Sequence, residues 1–328
     1  MPCVTEAPLI ELCGLHVAFA GKPAVRGIDL VVGAGEAIGL VGESGCGKSV
    51  TWLAALGLLP ASAKVGGRAI LRGEELIGAP AATLDRVRGG QVAMIFQDPV
   101  ASLNPVQRVG RQVAEALVLH RGLRGAAARA EARRLFDRVG IPNPARRLDA
   151  YPHELSGGQN QRVTIAIALA GNPALLIADE PTTALDATIQ AQILALLQEL
   201  RAETGMALVL ISHDLGVVSA LADRIVVMYA GRIVEEAPAD RLFAESGHPY
   251  TAGLLAALPP LDGPRRRLAA IPGEMPEPRA MPPGCEFAPR CPRALADCDM
   301  APPALRPLGA HHRAACLHPV AAAERVLA

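Results

Sequence analysis

One stretch constrains this chain more than any other: Glu36 to Leu56, EAIGLVGESGCGKSVTWLAAL. An apolar run, Ala37 to Val41, stops at a glycine, passes through GESGCGKS and resumes as a helix-like run from Val50. The order is strand, loop, helix. Within it Gly42, Gly47, Lys48 and Ser49 satisfy G-x-x-x-x-G-K-[ST], the pattern of a phosphate-binding loop. Glycine lets the backbone from Gly42 through Glu43, Ser44, Gly45, Cys46 and Gly47 curl, so that successive N–H groups point at phosphate oxygens and the next helix adds its positive end. Lys48 is expected to reach the β- and γ-phosphates, and the Ser49 hydroxyl to bind Mg²⁺. Lysine occurs only at Lys22, Lys48 and Lys64, so its presence inside this loop is not easily chance.

The length, 328 residues, suffices for one large domain or two smaller ones. Charge is balanced at 32 basic against 32 acidic residues, which argues against a nucleic-acid partner. The longest apolar stretch, Val163 to Ala178, is broken by Gly171, Asn172 and Pro173. It predicts a helix followed by a strand rather than a membrane span. The N-terminal MPCVTEAPLIEL has no basic region leading into an apolar one, predicting no signal peptide, a cytoplasmic protein and reduced thiols.

Leu9 to Ala37 alternates apolar and polar residues around the turn signals Gly21-Lys22-Pro23 and Gly33-Ala34-Gly35, predicting two or three antiparallel strands. Phe19, before the phosphate loop, is a core aromatic on composition and a candidate to stack on an adenine by position. Gly66 to Leu76 predicts another strand and turn, and Gln91 to Gln97 a short strand that presents Gln97 beside a proline-bounded loop. From Val109 to Leu148 apolar residues recur at helical spacing, Val113, Leu117 and Leu119, then Leu135 and Val139, and IPNP at 141 to 144 is expected to end the pattern. This predicts a helical subdomain, about residues 100 to 170, inserted into an α/β core.

Ser156 precedes a long helical pattern and is a natural N-cap, with Gly157 and Gly158 leaving that helix end open to an anion. Ala174 to Asp179 is a buried strand ending in two carboxylates. Asp179 stands where a phosphate-loop protein holds Mg²⁺, and Glu180 can polarise a water for attack on the γ-phosphate. Ile189 to Arg201 predicts an amphipathic helix. Ala207 to Ile211 is another buried strand, delivering His213 to the end of the sheet where open α/β folds bind ligands. Arg224 to Met228 and Arg232 to Glu235 predict a closing hairpin around Tyr229-Ala230-Gly231.

The set Gly42 to Ser49, Gln97, LSGGQ at Leu155 to Gln159, LLIADE at Leu175 to Glu180, ALD at Ala184 to Asp186 and His213 resembles the nucleotide-binding subunit of ATP-binding cassette (ABC) transporters, over about residues 9 to 245. The resemblance implies an α/β fold: a P-loop ATPase core with an antiparallel β subdomain and a helical subdomain. It implies that Ser156, Gly157, Gly158 and Gln159 contact the ATP of a head-to-tail partner. It implies that Ser49, Asp179 and Gln97 hold Mg²⁺ and water, that Glu180 is the general base and that His213 senses the γ-phosphate. Phe19 matches the aromatic that stacks on adenine, and Asp186 falls at the dimer interface. QDPVASLNP, YPHELSGGQ, ISHDLGVV, VMYAGRIVE and HPYT at 248 to 251 resemble the oligopeptide/dipeptide branch, and LGLLP with LSGG leans toward the first of its two ATPase subunits. Asn160 after the signature glutamine and Phe19 for the commoner tyrosine depart from the pattern without removing a contact. The implied partners are a second, distinct ATPase subunit, two transmembrane permease subunits and an extracytoplasmic solute-binding protein. The implied place is the cytoplasmic face of the inner membrane. An importer of nickel or another small solute, and a soluble ABC-type ATPase acting on DNA or ribosomes, are the alternative readings.

After residue 247 the chain changes character: 15 of its 28 prolines lie from Pro249 onward, and Phe287 is the only phenylalanine there. A segment so poor in core residues needs a staple. Cys285, Cys291, Cys298 and Cys316 can supply four thiolates to Zn²⁺ or an iron–sulfur cluster, or remain unligated, and spacing alone does not decide. The extension resembles that of family members with GC-x5-C-x6-C and a distant fourth cysteine, which implies a [4Fe-4S] cluster. His311, His312 and His318 could substitute as ligands but are expected to be solvated; Cys3, Cys13 and Cys46 read as incidental, although Cys46, within the phosphate loop, is a candidate for alkylation.

Overall fold

The computed structural model describes residues 7–183, 185–258 and 270–320. Cys3 and the start of the N-terminal stretch lie outside the described residues, as does Ala184. The chain forms two compact units, one of residues 1–32, 37–77 and 211–328, the other of 33–36 and 78–210.

The first unit contains an antiparallel sheet. Strands β1 (Ile10–Phe19) and β2 (Lys22–Val32) pair, as do β1 and β4 (Ala63–Leu71), with the short β5 (Glu74–Glu75) beyond; the order is β2-β1-β4-β5. The turn between β1 and β2 falls at Ala20-Gly21, both with positive φ, one residue earlier than the sequence signal suggests. Lys22 and Pro23 instead open β2, an edge strand, where a missing N–H costs no ladder bond.

The same unit carries β3 (Ala37–Val41), every residue of it buried, as expected for a strand covered on both faces. It pairs in parallel with β9 (Arg224–Tyr229), which turns through Ala230-Gly231 into antiparallel β10 (Arg232–Pro238). β10 then pairs with β12 (His312–Ala314), and β12 with β11 (Arg306–Gly309), so the far end of the proline-rich tail extends this ladder. Three tail-side rings, Tyr229, Tyr250 and Phe287, meet with centroids 4.7 to 5.4 Å apart. Such pairs contribute about 0.5–1.5 kcal/mol each beyond their buried area. This is the core that composition alone did not promise.

The second unit holds β7 (Leu175–Asp179) and β6 (Val92–Ile95), which are parallel, and the first four residues of β8 (Ala207–Ser212), whose last two belong to the first unit. Its helices include Val109–Arg121, Gly125–Arg138, Gly157–Leu169 and Ala187–Thr204. Val109, Val113 and Leu117 bury one stripe of the first, and Ala128, Ala132, Leu135 and Phe136 one stripe of the second. Leu119 does not belong to that stripe: it is 75% exposed, two residues past Leu117 and so on the opposite side. Nor does IPNP only terminate. Asn143 adopts a left-handed backbone and Pro144 opens a further short helix, Pro144–Arg147, where its fixed φ suits the first helical position. Among the described residues no helix is long and apolar enough to cross a membrane.

Candidate nucleotide site and cysteine site

The phosphate loop connects β3 to the helix Lys48–Ala55. Two of its glycines are required by space. Gly42, with φ 152°, would drive a Cβ into the Met228 carbonyl, and Gly47, with φ 104°, would place one 2.8 Å from the Ala24 carbonyl oxygen. Lys48 is 5% exposed; its Nζ donates to the carbonyls of Gly42 at 2.7 Å and Glu43 at 3.0 Å, so the ammonium lies folded along the loop. Thr51 ties the helix back through Oγ1 to the Gly47 carbonyl at 2.9 Å. Gly231 N–H donates to the Cys46 carbonyl, fixing the loop to the β9–β10 turn. Cys46 is buried, which raises its thiol pKa. Ser44 and Gly45 are exposed and Ser49 half-buried. Glu43 differs from the expectation for a loop whose amides face phosphate: its N–H donates to Tyr250 Oη at 2.8 Å. In the same unit Phe19 is half-buried at the end of β1, and His213 is exposed just beyond β8.

In the second unit, Asp179 is buried at the end of β7 and Glu180 follows with φ 46°. Gln97 Nε2 donates to Glu180 Oε2 at 2.9 Å, and Thr183 Oγ1 donates to the same oxygen at 2.9 Å. Gln97, from beyond β6, is thus brought to Glu180.

The LSGGQ segment builds a capping box. Ser156 Oγ accepts from Gln159 N–H at 3.3 Å, and Gln159 Oε1 accepts from Ser156 N–H at 3.2 Å. Gly157 and Gly158 form the first helical positions, and a Cβ on Gly158 would sit 2.7 Å from Ile189 Cγ2. Asp186 caps the helix Ala187–Thr204, accepting from Ile189 N–H at 3.0 Å. That structural duty was legible, since an aspartate directly before an apolar-periodic run is an N-cap signal.

All four tail cysteines line one cavity, with His248, Pro249, Phe287, Pro303 and His318 among its other walls. Cys285 N–H donates to the Cys298 carbonyl at 2.7 Å, closing the turn. Burial raises the thiol pKa of Cys285 and Cys291; burial and then the charges of the other three thiols push Cys316 up to about 11. Among the described residues Asp297, Cys298 and His318 bring their potential metal-ligand atoms within 4.8 Å of one another. His318 bonds Asp297 at 2.8 Å. His312 corrects the solvated expectation: it is 3% exposed and its Nε2 meets Glu235 Oε1 at 2.7 Å, a carboxylate that also accepts from Gly247 and His248 N–H. Cys13 is half-buried near the middle of β1.

Residues 25–183 match the ABC transporter family model. A dimeric ATP-binding cassette, MJ0796, solved in a post-hydrolysis state with ADP and Pi, superposes with a TM-score of 0.63 at 26% identity, over 70% of this chain and 98% of that one. The class is therefore an ABC-transporter ATPase that binds ATP with Mg²⁺ and hydrolyses it. Residues 234–298 match the C-terminal region of oligopeptide/dipeptide transporters. A Brucella abortus protein named "Putative peptide import ATP-binding protein" is 54% identical over 89% of this chain and 90% of its own length. The Salmonella typhimurium oligopeptide transport ATP-binding protein OppD is 46% identical over 96% and 97%. This chain belongs to the oligopeptide-importer family of ABC ATPases and is an ATPase subunit of a peptide importer, with membrane permease partners and a dimeric ATPase arrangement. These relatives speak for peptide import over the nickel, DNA and ribosome alternatives.

Proposed function

We propose that this chain powers uptake of di- and oligopeptides, using Glu180 as the general base of ATP hydrolysis. The observation that supports this most is the carboxylate itself, set at the end of β7 and oriented through one oxygen by Gln97 and Thr183. A carboxylate held this way can take the proton of an attacking water, and general bases contribute about 10² to 10⁴ in rate.

On this reading Phe19 stacks on adenine, and Gly42 to Ser49 bind the phosphates. Ser156, Gly157, Gly158 and Gln159 reach the partner's ATP across a head-to-tail dimer with Asp186 at the interface, and His213 responds to the γ-phosphate. A hydroxyl, an amide oxygen and a carboxylate at Ser49, Gln97 and Asp179 are the hard oxygen donors that Mg²⁺ takes. The ion, when bound, neutralises charge on the β- and γ-phosphates. The domain division proposed is 1–247 for the ATPase, about 100–170 of it helical, and 248–328 for the extension. The partner ATPase is a distinct paralogue, a solute-binding protein delivers the peptide, and the subunit works at the cytoplasmic face of the inner membrane.

The four tail cysteines are proposed to hold a [4Fe-4S] cluster rather than zinc. All four thiols line one cavity, and four thiolates are the donor set that a [4Fe-4S] cluster takes. The cluster, when bound, supplies a covalent staple to a tail short of core.

The test is reconstitution with the cognate permeases and binding protein in vesicles. ATP-dependent peptide uptake that disappears with Glu180→Gln is the expected result. Uptake that survives this substitution, or turnover insensitive to any peptide, would contradict it.

A further inference from the structure

The four-cysteine turn reaches the phosphate loop through one side chain. Arg290 closes the turn Ala288–Arg290, immediately before Cys291, and is 8% exposed. Its Nη1 donates to Glu43 Oε2 at 2.9 Å and its Nη2 to Glu43 Oε1 at 3.0 Å, a two-pronged pair between residues 247 positions apart. Nη1 also donates to Tyr229 Oη at 3.2 Å, and Nε to the Pro272 carbonyl at 2.9 Å. The guanidinium lies 5.8 Å from the Tyr229 ring centre and 5.9 Å from that of Phe287. On the other side of the turn, Glu286 pairs with Arg26 at 2.6 Å and Arg232 at 3.4 Å.

Glu43 is where these contacts enter the nucleotide site. Its side chain takes Arg290, its N–H takes Tyr250 Oη, and its carbonyl takes the Lys48 ammonium. A planar guanidinium fixes both position and orientation of a carboxylate, which a single charge contact does not. Arg290 is buried and Glu43 partly so, and removing Glu43's charge leaves the buried guanidinium uncompensated, so the loop should relax.

We propose that Arg290 is a positioning residue for ATP binding: by clamping Glu43 it transmits the order of the four-cysteine turn to the phosphate loop and to Lys48. This rests on the loop being the ATP site and on the turn being folded, not on which metal the thiols hold. Coupling between two sites is reciprocal, so ATP should in turn steady the cysteine turn.

The experiment measures ATP affinity by calorimetry on the full-length protein, for wild type, Arg290→Ala, Arg290→Lys, Glu43→Gln and the Arg290→Ala/Glu43→Gln pair. Iron, sulfide and zinc are assayed on the same samples. Arg290→Ala and Glu43→Gln should each weaken ATP about five- to twentyfold with metal content unchanged, the double variant should be no worse than the weaker single, and lysine should restore only part. A second readout is alkylation of the four tail cysteines, followed by mass spectrometry: ATP should slow it in wild type and not in Arg290→Ala. Glu43→Gln supplies the answer if Arg290→Ala fails to fold. Wild-type affinity in both single variants, losses that simply add, or alkylation indifferent to ATP in wild type would overturn the proposal. If Lys48→Ala also binds ATP normally, the ATP-site reading falls and the proposal falls with it.

Discussion

Gln97 and Glu180, 83 positions apart, share a hydrogen bond of 2.9 Å at the end of β7, and Thr183 completes the hold on the same carboxylate oxygen. The proposed base is thus held by a side chain from beyond a neighbouring parallel strand, β6. Replacing Gln97 by alanine should lower turnover more than it weakens ATP binding, because the amide orients the proposed base but is only one of three proposed Mg²⁺ donors. Phosphate release and equilibrium binding, measured together, check this.

Lys48→Ala should act at the earlier step. The ammonium is folded against the Gly42 and Glu43 carbonyls, within the loop expected to take the phosphates. Loss of a charge-assisted contact to phosphate is expected to weaken ATP binding by about 10-fold or more. Unchanged affinity by calorimetry would remove the loop from its role.

The tail makes a separate prediction. Protein purified without oxygen should be brown and contain about four irons and four sulfides per chain. A colourless protein with one zinc would leave the ATPase account standing and replace the cluster by a simple staple.

A pH prediction comes from the helical region of the second unit. Arg134, and after it Arg121, hydrogen-bond Glu131 and hold its carboxyl at about 2, against an ordinary 4.5. The folded value is the lower one, so this stabilisation is complete above about pH 4.5 and disappears as pH falls toward 2. Because Arg134 is largely exposed, Glu131→Gln should cost only about 1–2 kcal/mol at neutral pH. Chemical denaturation of the two proteins across this range should show the gap narrowing with acid; a gap independent of pH would contradict it.

Local chemistry was legible in the sequence. The strand, loop and helix around Gly42 to Ser49, the Ser156 cap and the buried strand ending at Asp179 each depend on neighbours within a few residues, which patterns report well. Asp186 was also legible as a cap, yet the family pattern drew attention to the interface instead. What sequence did not disclose was long-range pairing. Nothing near Glu43 points to Arg290, nor anything near Glu235 to His312, since such pairs form only when a proline-rich tail adds strands beyond β10. Leu119 misled for a simpler reason: two residues after Leu117 a helix has turned its side chain away.

The most direct test is Glu180→Gln, with ATP binding and hydrolysis measured on one preparation of the assembled transporter. ATP should still be bound at near wild-type affinity while turnover falls by about 10² or more. Turnover close to wild type would show that another group removes the proton and that Glu180 is not the base.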